Sequence, residues 1–156
     1  MSISSRAQPV RVIATLAVMT LLAACSSAGG SPSQSAGGGG SGGTTVDVTL
    51  SEFKVEMSST DLPAGEVTFN VTNNGTVEHE FVVFKTDLAE DALPEASDEP
   101  EVNEDDPELT SMGEVEDVAP GESKSFTATL EAGSYVGICN VETHYDSGMH
   151  IHFTAG

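Results

Sequence analysis

Apolar residues recur at every second position in three stretches of the chain. Val46, Val48 and Leu50 alternate with Asp47 and Thr49, Val67, Phe69 and Val71 alternate with Thr68 and Asn70, and Phe126, Ala128 and Leu130 follow the same rhythm. A period of two puts one set of side chains on one face, so each stretch predicts a strand with a single buried side. Phe81-Val82-Val83-Phe84 is instead a continuous apolar run, which fits a strand inside a sandwich core. Turn signals separate these runs at Asn73-Asn74-Gly75, Ala119-Pro120-Gly121-Glu122 and Glu131-Ala132-Gly133. The last leads into a strand over Ser134 to Asn140, and Met149 to Thr154 supplies a closing strand. Short strands punctuated by turns predict an all-β fold, a Greek-key β-sandwich of about seven to eight strands.

One region breaks the rhythm. Between Asp87 and Asp117, 14 of 31 residues are acidic, and prolines stand at 94, 100 and 107. Proline lacks the amide that a central strand needs and disrupts a helix interior. Residues 87–118 are therefore expected to form an acidic insertion of loops, with one short helix near Leu88 to Ala92.

The N-terminal segment has a different composition. Arg6 and Arg11 precede an apolar stretch from Val12 to Ala24, too short to span a bilayer comfortably but of the length of a secretory core. It closes on Leu22-Ala23-Ala24-Cys25, which resembles a bacterial lipobox. Residues 1–24 thus read as a lipoprotein signal peptide, with Cys25 the lipidated residue. Residues 25–43 read as that cysteine and a flexible Gly/Ser tether, since such a composition cannot bury enough surface to order itself. Residues 44–156 remain for one folded domain, a size that supports a single core.

Charge narrows the partners. The chain of 156 residues carries 25 acidic and 5 basic side chains, a formal net charge of −20. Beyond residue 43 only Lys54, Lys85 and Lys124 are basic. Three dispersed cations cannot neutralise a run of phosphates, which excludes nucleic acid and an anionic lipid surface as ligands of the domain.

The candidate chemistry sits near the end of the chain. Cys139 is the one thiol left once Cys25 is lipidated, and an unpaired extracytoplasmic cysteine calls for a reason. His144 and Met149 follow it at equal spacing, Cys-x4-His-x4-Met. Thiolate, imidazole and thioether form a soft donor set. Two histidines and a cysteine with a weak methionine suit copper, whereas structural zinc prefers four strong ligands. The second histidine is His79, at the start of the Phe81 to Phe84 strand. His150 and His152 share a side of the closing strand but have no third candidate ligand, so they read as a solvated face.

Three pieces of this sequence resemble the cupredoxins, the type 1 blue copper proteins of the plastocyanin and azurin kind. They are Asn74-Gly75-x3-His79-Glu80-Phe81, Pro120-Gly121-Glu122-Ser123, and Tyr135-x3-Cys139-x4-His144-x4-Met149 with Gly148 before the methionine. The resemblance implies one type 1 copper, with His79, Cys139 and His144 as trigonal ligands and Met149 as the weak axial one. Many members place Asn directly after the first histidine, where it ties the two ligand strands together. Here Glu80 holds that place and Asn140 follows the cysteine, so the tie is expected to run in reverse, from the Asn140 amide to the Glu80 carboxylate. The function implied is that of a monomeric electron carrier, not an enzyme, lipid-anchored to the membrane outside the cytoplasm. Its redox partners would be basic, such as a cytochrome c or a membrane oxidoreductase. A copper storage or delivery module is the alternative, although such proteins tend to offer Met-rich or His-rich tracts, which the mature sequence lacks.

Overall fold

In the computed structural model, residues 43–156 are described, with the exception of Asp98. The expected signal peptide, the lipidation site at Cys25 and nearly all of the tether lie outside the described residues. Alternation dictates the first strands. β1 (Thr44–Ser51) and β4 (Gly65–Asn73) bury Val46, Val48, Leu50, Val67, Phe69 and Val71 on one side and turn their threonines and polar residues to the other. The remaining strands are β2 (Lys54–Met57), β3 (Asp61–Leu62), β5 (His79–Lys85), β6 (Thr110–Val118), β7 (Ser123–Leu130), β8 (Gly133–Ile138) and β9 (His150–Ala155).

The strands form two sheets. One has the order β2-β1-β4-β7 and the other β3-β9-β8-β5-β6. Pairing is antiparallel except between β1 and β4 and between β3 and β9. The inner faces meet over an aromatic centre. Phe69 packs against Phe81 and Phe153 at 6.0 Å and stacks on Phe126 at 5.1 Å, while Tyr135 stacks on Phe153 at 5.3 Å. Gly137 makes room for this centre, since a Cβ there would lie 2.6 Å from the Phe81 ring. The Tyr135 hydroxyl, which burial would otherwise strand, donates to the Glu131 carbonyl at 2.8 Å.

Nine strands among the described residues extend the expected seven to eight, and two expectations need correction. The acidic insertion does not run to residue 118 as loop, because its last nine residues are β6. This strand lies at a sheet edge, where outward charges are tolerated and discourage further pairing. It turns Val115 and Val118 inward and exposes Glu114, Glu116 and Asp117. No helix is found among the described residues. At Leu88 to Ala92 there is a turn closed by the Ala92 amide on the Ala89 carbonyl at 3.0 Å. A helix of five residues has too few internal bonds to offset nucleation, and Pro94 disfavours helical backbone at Leu93.

Candidate metal centre

The turn after β4 sets the first ligand. Asn73 is fully buried, and its side-chain amide donates to the carbonyls of Val77 and Val118 at 2.7 and 2.8 Å. Its side-chain oxygen accepts the Gly75 amide at 2.8 Å, so the side chain braces the whole bend. Glu52, on the link between β1 and β2, accepts the amides of Thr76 and Val77. These amides hold its carboxyl down at about 2. Glycine at 75 leaves room for this carboxylate, since a Cβ there would lie 2.7 Å from Glu52 Oε1 and displace it. The braced turn delivers His79 to the start of β5 with no solvent exposure. Its Nε2 is buried without a hydrogen-bond partner and faces Glu52 Oε1 at 3.8 Å.

The link from β8 to β9 sets the others. The Cys139 amide donates to the Met149 carbonyl at 3.0 Å, and the Met149 amide donates to the His144 carbonyl at 3.1 Å. Within the loop, the His144 amide donates to Val141 at 2.8 Å and that of Gly148 to Tyr145 at 2.9 Å. The eleven-residue path from Cys139 to Met149 therefore folds back on itself, returning His144 towards Cys139. Met149 is fully buried in the same apolar cluster as Cys139.

Three donor atoms converge. Cys139 Sγ lies 3.7 Å from His79 Nδ1 and 3.3 Å from His144 Nδ1, and the two Nδ1 atoms are 3.2 Å apart. Donors bound in a plane at about 2.0–2.3 Å from one transition ion are separated by roughly 3.5–3.8 Å. The observed triangle matches that size within about half an ångström, so an ion fits with small ligand movements. Burial lowers the pKa of both imidazoles, His79 being lowered further by His144, which leaves them neutral and able to coordinate. Burial pushes the Cys139 thiol up to about 11, against the pull of the Glu80 and Val141 amides. The Glu80 amide reaches Sγ at 3.4 Å. A metal cation is the natural counter-charge for a thiolate held in such a place.

His79, Cys139 and His144 are thus brought together, and Met149 lies in the adjoining core. The tie between Asn140 and Glu80 differs from expectation. The Asn140 side chain turns away to Val102 and Glu104 and so makes no tie to Glu80. Burial, reinforced by Glu104, raises the Glu80 carboxyl to about 7. The reason lies in the acidic segment, which places a strand-like backbone beside Asn140 and claims its amide. His150 packs near Tyr145 and faces Glu90 at 3.7 Å, rather than forming a solvated pair with exposed His152. Sequence reasoning missed Glu52 and also Phe53, a half-exposed ring edge-on to His144 at 5.4 Å. Neither carries a local signal, since both lie far from their partners in the chain.

Residues 12–151 match the family model described as a cupredoxin-like domain. No curated protein matches the sequence significantly. Among solved structures, the fold is similar to dithionite-reduced auracyanin from the photosynthetic bacterium Roseiflexus castenholzii, with a TM-score of 0.53 and 22% identity over 74% of this chain and 99% of that one. It is similar to auracyanin A, a "blue" copper protein from Chloroflexus aurantiacus, with a TM-score of 0.51 and 24% identity over 74% of this chain and 100% of that one. It also matches rusticyanin from Thiobacillus ferrooxidans, with a TM-score of 0.50 and 20% identity over 74% and 79% of the two chains. The two-sheet fold and the family match over most of the length lead to one assignment: this chain belongs to the cupredoxin-like family.

Proposed function

We propose that the protein is an electron carrier with one type 1 copper held by His79, Cys139 and His144, and with Met149 as a fourth, weaker donor. The observation that carries this reading is the convergence of two neutral imidazole nitrogens and one thiol within 3.2–3.7 Å of one another at a buried point. When bound, copper supplies a one-electron couple that two imidazoles and a thiolate accommodate in both oxidation states. The chain's own contribution is rigidity and the exclusion of water. Asn73 and Glu52 brace the approach to His79, and the amide of Glu80 supports the thiolate. The His144 ring is 8% exposed and lies under half-exposed Phe53, so this end of the sandwich is where electrons enter and leave. The description of auracyanin A as a "blue" copper protein, and the reduced forms in which auracyanin and rusticyanin have been solved, support the same reading.

Two finer points belong to it. The Cys25 lipobox would anchor the carrier to the membrane outside the cytoplasm, with the Gly/Ser segment as tether. The exposed acids Asp87, Asp91, Glu95, Glu99, Asp105 and Glu108 would steer a basic partner such as a cytochrome c. Copper-loaded protein should show intense thiolate-to-copper absorption, and Cys139→Ser should abolish it. Retention of the colour in that variant overturns the ligand set. In cells, radiolabelled fatty acid should mark the wild type but not Cys25→Ser, and an unlabelled wild type removes the anchor.

A further inference from the structure

The ligand loop is held from outside as well as from within. Asn140 stands next to Cys139 and is buried. Its Oδ1 accepts the Val102 amide at 2.7 Å, and its Nδ2 donates to the Val102 carbonyl at 3.1 Å and to Glu104 Oε1 at 2.9 Å. Both side-chain protons are used, and the amide group imitates a neighbouring strand. On one side of His144, the Thr143 amide donates to the Pro100 carbonyl at 3.0 Å. On the other side, the Tyr145 hydroxyl accepts the Leu93 amide at 2.9 Å and donates to the Glu90 carbonyl at 3.0 Å. The Tyr145 ring is buried among Leu93, Val102, Leu109 and Ile138. The holding segment is itself closed by the Glu95–Val102 bridge, with Ala96 bonded to Glu101 at 2.8 Å and Asn103 to Pro94 at 2.8 Å.

Thr143 shows that this grip resists a local preference. Its φ of 68° lies in the left-handed region, which a β-branched residue rarely enters. The conformation is held by the bond to Pro100 and by the Ser147 amide and hydroxyl on the Thr143 carbonyl at 3.1 and 2.8 Å. Three residues that flank the loop donors, Asn140 after Cys139 and Thr143 and Tyr145 around His144, are thus fixed to the acidic segment.

We propose that Glu90, Leu93, Pro100, Val102 and Glu104 form an external clamp that sets the positions of Cys139 and His144 before any metal arrives, with Asn140, Thr143 and Tyr145 as positioning residues. The functional weight of the clamp rests on the copper reading given above. The clamp itself is a property of the metal-free chain. Ligands fixed from both sides follow a change of metal charge very little, so the clamp keeps the ligand set in one geometry.

Amide hydrogen exchange on the metal-free protein tests this directly. The loop amides of Cys139, His144 and Met149 should exchange slowly in the wild type and at least tenfold faster in Asn140→Ala and Tyr145→Phe, while the amides of β4 and β7 keep their wild-type rates. Copper-loaded forms of the two variants should also show a shifted thiolate absorption band and altered spin-resonance hyperfine splitting. Glu104 provides the finer control. Glu104→Gln retains an acceptor for Asn140 and should behave as wild type in both readouts, whereas Glu104→Ala should move both. Loop exchange within twofold of wild type in Asn140→Ala and Tyr145→Phe overturns the clamp, as does a Glu104→Gln spectrum displaced as far as that of Glu104→Ala. If β4 and β7 also loosen, the variant has weakened the whole fold, and the Glu104 pair decides. Wild-type protein that lacks thiolate colour, yet shows the predicted exchange pattern, removes the copper reading and leaves the clamp standing.

Discussion

The molecule has two apolar layers of different origin. The inner layer lies between the sheets and is assembled by alternation, with Val67, Phe69 and Val71 facing Phe81, Tyr135 and Phe153. The outer layer lies on the far side of the second sheet, where Val82, Phe84, Val136 and Ile138 meet Leu93, Val102, Leu109 and Tyr145. Its cover is the most acidic part of the chain. A few apolar residues set among many carboxylates suffice, because the acids point to water while Leu93, Val102 and Leu109 remain under 8% exposed. The difference teaches what the acidic segment contributes. Strand β5 is buried on both faces, Phe81 and Val83 inward and Val82 and Phe84 outward, which is why its apolar run is continuous instead of alternating.

Truncation in each layer gives the largest test of this contrast. Phe81→Ala should cost about 3–5 kcal/mol and Leu93→Ala about 2–4 kcal/mol, since both side chains are buried. Urea midpoints measure the costs, and hydrogen exchange separates their reach. The Phe81 variant should loosen both sheets, and the Leu93 variant the outer cover and ligand loop. Indistinguishable exchange maps would mean that the two layers form one cooperative unit.

The second test uses the thiol at the border of the inner layer. Burial raises Cys139 to about 11, so the thiol is protonated at neutral pH and metal binding must release that proton. Apparent copper affinity should therefore rise with pH, by about tenfold per unit between roughly pH 7 and 9, where the imidazoles are already neutral. Competition against a chelator of known proton affinity reads this slope. A flat profile would mean that the amides of Glu80 and Val141 already hold a thiolate in the metal-free state. The smallest effect belongs to the outermost charges. Neutralising the exposed Asp87, Glu99, Asp105 and Glu108 should flatten the fall of transfer rate with ionic strength while leaving potential and colour unchanged, as charges act on encounter over a screening distance of about 8 Å. Glu104 must be left intact, because it binds Asn140 at 2.9 Å. Stopped-flow rates that ignore salt would make the acids a solvated surface only.

The parts of this design that were legible in the sequence are those written in short-range pattern. β1, β4 and β7 announce themselves by alternation, and Cys139, His144 and Met149 lie within one loop. β6 was hidden because an edge strand can carry Glu114, Glu116 and Asp117, so its composition resembles that of the loop before it. β2 and β3, with four and two residues, are too short for a period to show. Glu52, Phe53 and the partners of Asn140 and Tyr145 were invisible for another reason. Their contacts join segments 24 to 91 positions apart, as between Glu52 and Thr76 or Phe53 and His144, and no local rhythm encodes which of many carboxylates or rings will meet a given histidine.

The pairing of β9 has a consequence in time. Its residues close β8 along one edge, from Gly133 with Ala155 to Ile138 with His150, and hold β3 through Leu62 with Ala155. On a ribosome, His79 emerges some 76 residues before Ala155, the end of β9, an interval of roughly 4–15 s at ordinary rates of synthesis. For the first 60 of those residues the first of the proposed ligands exists without Cys139, His144 and Met149, and until β9 follows, β8 has no partner on its β9 side. The three loop donors therefore arrive within ten residues of one another, and the strand that closes their loop against β8 is the last part of the sandwich to be made.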